Sequence, residues 1–189
     1  MNSETIISIF LGVGLAASVG FRIFLPLFAL SLASYFGVWE LNESWQWIGS
    51  IAVLITLGVA TLAEIFAYFI PWVDNLLDSI AIPLAAIAGT AVMVSTVANL
   101  DPVVTWSLAI IAGGGTATAI KGAGASSRLA STVTTGGVAN PLVSTVETGT
   151  AVVVTTASIF APIFAAFLVI VILVFIFIIY RRLRPRAKP

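Results

Sequence analysis

The chain contains no cysteine and no histidine among its 189 residues. The absence of cysteine excludes disulfide bonds and thiolate metal ligands, and the absence of histidine removes the commonest metal ligand and general base. The sequence also has no phosphate-binding loop and no Ser-His-Asp arrangement. We therefore expect no metal, no cofactor and no enzymatic activity.

Charged residues are also scarce, at 8% of the chain, whereas 60% of the residues are hydrophobic. Soluble domains carry about 25% charged residues. This composition, with a mean hydropathy of +1.15, is typical of an integral membrane protein. The expected partner is the lipid bilayer, and the expected location is a bacterial inner (plasma) membrane.

Five of the eight basic residues lie in the last nine positions, 181–189. A basic cluster directly after an apolar helix indicates a cytoplasmic segment, because loops on that side of a membrane are enriched in Lys and Arg. The cluster is too short and too local to indicate nucleic-acid binding. We expect residues 1–180 to form a single transmembrane domain and residues 181–189 a basic cytoplasmic tail.

Hydrophobic runs of about 20 residues, the length of a membrane-spanning helix, occur about six times. The first run, Thr5 to Phe36, is too long for one straight span, and Arg22 and Pro26 indicate a kink or break in it. Gly113 to Gly115 indicate a break or thinning of the fourth run, which starts near Val104. The other spans are expected at Ile48 to Ile70, Ser79 to Ala98, Asn140 to Ala161, and Pro162 to Tyr180. The sequence therefore predicts an all-α membrane protein with broken or kinked helices 1 and 4.

The two halves of the domain, residues 5–98 and 104–180, resemble each other weakly. The similar segments are Gly12 to Val19 with Gly113 to Ile120, and Gly58 to Pro71 with Gly149 to Pro162. Three spans in each half would give a 3+3 inverted repeat, an architecture of transporters. Chance similarity between Gly/Ala-rich helices is the alternative. Six spans with a cytoplasmic C-terminus would also place the N-terminus in the cytoplasm.

Polar residues interrupt these apolar spans. A charge in hydrocarbon is costly, so such residues normally face a protein interior or a water-filled cavity. The candidates to line a substrate or ion pathway are Arg22, Glu64, Lys121, Arg128, Asn140, Ser144 and Glu147. Lys121 and Arg128 are seven residues apart, as are Asn140 and Glu147, so each pair lies on one helix face.

The charged candidates also have structural interpretations. Arg22 can form a buried ion pair with Glu64 or Glu147, which would be needed for folding alone. Lys121 and Arg128 can extend along the helix to the cytoplasmic interface. Lys121 lies deeper than Arg128 and is the better candidate for a site.

The uncharged candidates have local alternatives as well. Asn140 before Pro141 is typical of a helix N-cap, and Ser144 can bond its own helix backbone. Asp74 and Asp78 precede the third span, where acids match the helix dipole.

A series of motifs gives the chain a family resemblance. The motifs are GFRIFLP (Gly20 to Pro26), Glu64 followed by IPWVD (Ile70 to Asp74), IPLAAIAG (Ile82 to Gly89), then Lys121, Arg128, Asn140, Ser144 and Glu147. In this order they resemble the membrane family catalogued as domain of unknown function 4126, over nearly the whole chain. The resemblance implies a transmembrane topology and these candidate residues, without an activity. Two positions depart from it: Tyr68 stands where an acid is expected, and Thr148 where Asp is frequent.

Three functions are consistent with these features. The first is a transporter or channel for a small ion or polar solute, through a polar pathway between the halves. Three bases against two deep acids, Glu64 and Glu147, favour an anion. The second is a proton- or cation-coupled carrier that uses these two acids, and the third is a non-transporting scaffold with buried ion pairs. The small-residue helix faces also indicate a homodimer.

Overall fold

The computed structural model describes residues 3–70, 73–98 and 100–183, and every regular element in them is helical. The α-helices are α1 (Ser3–Phe21), α2 (Phe24–Tyr35), α3 (Ile51–Ala67), α4 (Val73–Thr96), α5 (Pro102–Leu108), α6 (Gly115–Thr135), α7 (Asn140–Phe160) and α8 (Pro162–Leu183). A 3-10 helix, Glu43–Gly49, precedes α3, and a π-helix, Ala109–Gly114, joins α5 to α6. Pro71 and Trp72 of the IPWVD motif and positions 184–189 of the basic tail lie outside the described residues.

Five of the described helical segments are long and apolar enough to cross a membrane, by length and composition. They are α1, α4, the continuous helix Pro102–Thr135, α7 and α8. The 3-10 helix and α3 together form a sixth candidate, bent by 64° where they meet. The predicted all-α membrane fold with about six candidate spans is confirmed.

Helix α1 lies at the centre of the bundle and contacts α4, α6, α7 and α8. Its glycine, alanine and serine residues allow these neighbours to approach closely. A Cβ atom on Gly20 would lie 2.6 Å from Ile120 Cβ, so this position has no room for a side chain. Helix α8 lies at the periphery and turns large apolar side chains outward.

The first hydrophobic run folds as a helical hairpin, with a tight turn at residues 22–23 between α1 and α2. The start of α1 lies beside the end of α4, where Ala98 N donates to Ser8 Oγ at 3.1 Å. The chain after α2 returns to the same place, where Asn42 N donates to Ser95 O at 3.0 Å. Helix α2 has 12 residues, fewer than the roughly 20 that a span needs. The run therefore enters and leaves at one end of the bundle.

We name this end, formed by residues 36–42, 97–98 and 161, the loop end. The opposite end, formed by residues 68–70 and 136–139, is the turn end. Helix α1 runs antiparallel to α7, because Ser18 Oγ donates to Ala151 O and Arg22 Nη2 donates to Ser144 O farther along.

The two described chain ends lie at opposite ends of the bundle. Helix α8 begins at the loop end, since Gly14 of α1 packs against both Ser158 of α7 and Ala165 of α8. Helix α8 therefore finishes at the turn end, whereas α1 starts at the loop end. The described ends of the chain therefore lie at opposite ends of the bundle, because α2 returns the chain to the loop end. The cytoplasmic location of both termini stays a prediction.

The inverted repeat stays a prediction, because its two pairs of similar segments differ in relative direction. Equivalent helices of an inverted repeat run in opposite directions across the membrane. Gly12 and Gly113, which start the two similar segments, both pack against Met93, and Gly20 packs against Ile120 farther along. The two segments therefore run in the same direction. Helices α3 and α7, which hold most of the second pair, run in opposite directions, since α3 ends and α7 begins at the turn end.

The glycine-rich part of the fourth span changes its winding without an interruption. The π-helix continues directly into α6. An added Cβ on Gly113 would lie 2.6 Å from Gly89 O, so the two helices meet backbone to backbone. These glycines serve close helix packing, and the expected break in this span is a wider helical turn.

Because the chain has no native cysteine, single cysteines can report the topology. Ser3 and Asn42 lie at the loop end, and Val138 and Arg182 lie at the turn end. We expect a membrane-impermeant maleimide to label Ser3→Cys and Asn42→Cys from one side of sealed vesicles. Val138→Cys and Arg182→Cys should react from the other side only. Labelling of S3C and R182C from the same side would contradict the hairpin.

Candidate functional site

The turn between α1 and α2 lies inside the bundle, where its backbone groups need partners other than water. The N–H groups of Ile23, which immediately precedes α2, and of Phe24, its first residue, donate to the two carboxylate oxygens of Glu64 at 2.8 and 3.0 Å. Lys121 Nζ donates to Phe21 O, at the end of α1, at 3.2 Å. An acid at a helix N-terminus and a base at a helix C-terminus both match the helix dipole. Glu64 and Lys121 therefore hold the hairpin turn.

Arg22 occupies the turn and is fully buried. Its Nε donates to Thr148 Oγ1 at 2.9 Å, and its Nη2 donates to Ser144 O at 3.0 Å. Its Nη1 lies 3.6 Å from Glu147 Oε2 as an ion pair. Since these partners are four to eight residues into α7, the guanidinium lies about 6–12 Å from the start of that helix. Arg22 therefore pairs with Glu147, whereas Glu64 binds the adjacent backbone.

Arg128 is the second buried guanidinium. It forms ion pairs with Glu147 on α7 and with Asp78 on α4, the latter at 3.3 Å between Nε and Oδ2. Asp78 also accepts a hydrogen bond from Tyr68 Oη at 3.2 Å. Arg128 thus joins α4, α6 and α7, and neither it nor Lys121 extends to an interface.

The ring of Tyr68 lies among these charges. Its centroid is 4.3 Å from Arg22 Cζ, 4.4 Å from Arg128 Cζ and 5.2 Å from Lys121 Nζ. Cations are attracted to an aromatic face, most strongly where both are desolvated. The ring therefore offsets part of the repulsion among the three bases. Its spacing from Glu64, four residues along one face of α3, was the signal that could have identified it.

Asn140 and Ser144 bond across the bundle. Asn140 is already the first helical residue of α7, and its Nδ2 donates to Asp74 Oδ2 at 2.7 Å and to Thr132 Oγ1 at 3.0 Å. Ser144 Oγ donates to Tyr68 O at 3.0 Å. The predicted cap at Asn140 and the own-backbone bond of Ser144 are wrong. These two side chains instead form hydrogen bonds with buried partners elsewhere in the bundle.

All seven predicted residues meet in one polar cluster. The cluster consists of Arg22, Glu64, Tyr68, Asp74, Asp78, Lys121, Arg128, Asn140, Ser144 and Glu147. Sequence reasoning missed Asp74 and Asp78 because it started the third span at Ser79, whereas α4 begins at Val73. With these two, four acids stand against three bases, and the predicted positive excess is absent.

The cluster retains hydrogen-bond donors without acceptors. Arg22 Nη1 and Arg128 Nε are buried and meet carboxylates only as ion pairs, at 3.6 Å from Glu147 Oε2 and 3.3 Å from Asp78 Oδ2, without a hydrogen bond. Arg128 Nη1 is buried and has no hydrogen-bond acceptor in the described part of the chain. The hydroxyl oxygen of Ser131 and the amide oxygen of Asn140, which is an acceptor, also make no hydrogen bond within the described residues. A buried donor left unbonded costs about 1–3 kcal/mol. The two guanidinium groups are therefore suited to bind a group rich in acceptor oxygens.

Two apolar grooves approach the cluster from the outer surface of the bundle. The α3–α4 groove has a volume of about 300 Å³ and reaches Glu64 and Tyr68. The α6–α8 groove, between α6, α7 and α8, has a volume of about 660 Å³ and reaches Glu147. No three His, Cys, Asp or Glu side chains among the described residues are grouped so as to hold a metal ion.

Gly124 tests the pairing of Glu147. An added Cβ on Gly124 would collide with Glu147 Oε1, whereas Gly122 on the same helix has open space. We expect Gly124→Ala to displace the carboxylate and destabilise the protein by about 1–3 kcal/mol. Gly122→Ala should be neutral or stabilising, by up to about 1 kcal/mol. Thermal unfolding in detergent compares the two variants, and equal melting temperatures would contradict the pairing.

Glu64→Gln tests the cap on α2. Glutamine has one acceptor oxygen, so either Ile23 N or Phe24 N would lose its partner inside the bundle. We expect a lower melting temperature, from a loss of about 1–3 kcal/mol. Glu40→Gln, at an exposed loop position, is the matched control and should leave it unchanged. If Glu64 only lined a pathway, the two variants would be equally stable.

The buried cluster and its helical setting can be compared with known proteins. No curated protein and no solved structure matches the chain. A family model, described as Domain of unknown function (DUF4126), matches residues 9–182, a range that contains the whole polar cluster. Because this range covers most of the 189 residues, the chain belongs to the DUF4126 family.

Proposed function

We propose that the chain is a membrane carrier or channel that binds a small anion at the polar cluster. The observation that carries this proposal is the incomplete hydrogen bonding of two buried guanidinium groups. Arg128 Nη1 has no acceptor among the described residues, and Arg22 Nη1 and Arg128 Nε meet carboxylates only as ion pairs. Guanidinium groups form strong, often bidentate hydrogen bonds with carboxylates and phosphates. The preference for an anion therefore rests on these donors, since the charge balance of the cluster no longer supports it.

The position of the cluster supports a pathway between the halves. Its first five members belong to residues 5–98 and its last five to residues 104–180. Short connections such as residues 136–139 cover it at the turn end, whereas α1 packs closely against α4 and α7 toward the loop end. A movement of the halves would open the cluster first toward the turn end. Arg181 and Arg182, in the last turn of α8, favour the cytoplasm for that end.

A proton-coupled carrier is the second candidate. Glu147 forms ion pairs with both Arg22 and Arg128, and it also lines the α6–α8 groove. Protonation of this one carboxylate would release both guanidinium groups for an anion. Anion binding and proton binding would then favour each other.

A scaffold without transport is the third candidate, because every acid of the cluster has a partner. Glu64 accepts from backbone N–H groups, Asp74 from Asn140, Asp78 from Tyr68, and Glu147 pairs with two arginines. Such a network would hold the helices together on its own. For each of these three candidate functions we expect a homodimer in a bacterial inner membrane.

Flux measurements in proteoliposomes test the proposal. Arg22→Lys keeps the charge but loses the planar fork of donors. We expect the wild type to admit at least one of chloride, nitrate, acetate and phosphate faster than empty liposomes. The Arg22→Lys variant should be slower by on the order of tenfold, about 1.4 kcal/mol. Arg181→Lys, at the exposed end of α8, is the control and should behave as wild type.

Gel filtration and circular dichroism must show that R22K remains folded. If none of the four anions enters faster than in empty liposomes, the scaffold is favoured. Equal rates for R22K and wild type would remove Arg22 from the pathway. If an inward proton gradient, with the lower pH outside the liposomes, accelerates anion entry, the proton-coupled carrier is favoured.

A further inference from the structure

The α3–α4 groove offers an apolar approach to the cluster from within the membrane. Its walls include Ile23, Ala63, Ile80, Ala81 and Leu84. Ala63, Ile80 and Leu84 are exposed on the outer surface of the bundle, where lipid chains would contact a membrane protein. A molecule that is dissolved in the bilayer could therefore enter this groove sideways.

Tyr68 lies at the inner end of the groove and is almost fully buried. Beyond its ring are Arg22 and Arg128, which are buried and paired with Glu147 and Asp78, and each has at least one nitrogen that makes no hydrogen bond. The ring therefore separates an apolar groove from a pair of anion-binding groups. Among the hydrogen bonds of its side chain, the structure gives one, from Tyr68 Oη to Asp78 Oδ1 at 3.2 Å.

The one carboxylate in the wall of this groove is not free to attract a cation. Both oxygens of Glu64 accept backbone N–H groups, from Ile23 and Phe24. The polar groups beside the Tyr68 ring are the two arginines and Asp78, and Asp78 is itself paired with Arg128. The remaining hydrogen-bonding capacity is that of the arginines, which favours an anionic head group.

We propose that the α3–α4 groove binds a single-chain carboxylate amphiphile, with its chain in the groove and its carboxylate on Arg22 and Arg128. Binding requires the Tyr68 ring to turn aside, so Tyr68 is the gate of this site. A volume of about 300 Å³ is at the lower limit of small-molecule pockets, and it suits one short chain better than the two chains of a phospholipid. The inference rests on the proposed anion site and narrows its substrate class.

Decanoate is the probe for this site. Radiolabelled decanoate should bind saturably to the full chain in nanodiscs of zwitterionic lipid. Decanol, which has the chain without the charge, and acetate, which has the charge without the chain, should compete at least about tenfold less well than unlabelled decanoate. Equal competition by decanol would overturn the role of the arginines, and equal competition by acetate would overturn the role of the groove.

Ala63→Trp fills the groove from an exposed position, so it should fold. Ala52→Trp is the matched control, because Ala52 is also exposed on α3 but does not line the groove. We expect Ala63→Trp to weaken decanoate binding by on the order of tenfold and Ala52→Trp to leave it unchanged. Equal binding by the two variants would place decanoate elsewhere.

Tyr68→Phe tests the gate, because it removes the bond to Asp78 and keeps the ring. We expect faster decanoate association in this variant, and an unchanged rate would contradict the gate. Small-anion flux and decanoate binding, both measured on the wild type, distinguish this inference from the proposed function. If decanoate does not bind while acetate or chloride flux is normal, the groove inference fails and the anion site stands.

Discussion

The structure depends on hydrogen-bond partners for the backbone groups of the turn between α1 and α2, which lies inside the bundle. The reversal at Arg22 and Ile23 exposes backbone N–H and C=O groups where water is scarce, and hydrocarbon offers them no partner. The carboxylate of Glu64 accepts the free N–H groups at the start of α2. The ammonium group of Lys121 donates to the carbonyl oxygen of Phe21 at the end of α1. Each charge also matches the dipole of the helix that it caps.

The cost of burying these ions explains the rest of the cluster. Two buried arginines need carboxylates, and Glu147 and Asp78 supply them from α7 and α4. Tyr68 separates the bases and joins the same network through Asp78. The cluster is therefore both a structural joint between the two halves and the place where unbonded donors remain.

Much of the site could be predicted because polar residues in apolar spans must face the protein interior or a hydrated cavity. All seven predicted residues lie in the cluster for that reason. Asp74 and Asp78 were assigned to the dipole of the third span and not to the site, because a span boundary taken from hydropathy is uncertain by several residues and these acids lie within that margin. Asn140 has the local sequence pattern of a helix cap, yet its side-chain amide donates to Asp74. A partner on a distant helix cannot be predicted from local spacing.

The sequence by itself determined the membrane class, the helical fold and seven of the buried polar residues, because hydrocarbon imposes its cost on every residue separately. Tertiary structure alone decided that α2 turns back, that the chain ends lie at opposite ends of the bundle, and that Glu64 caps a helix. Chain direction after a break leaves no mark on composition or periodicity. It is set by which distant side chains can satisfy the broken backbone, and those contacts exist only once the helices have packed.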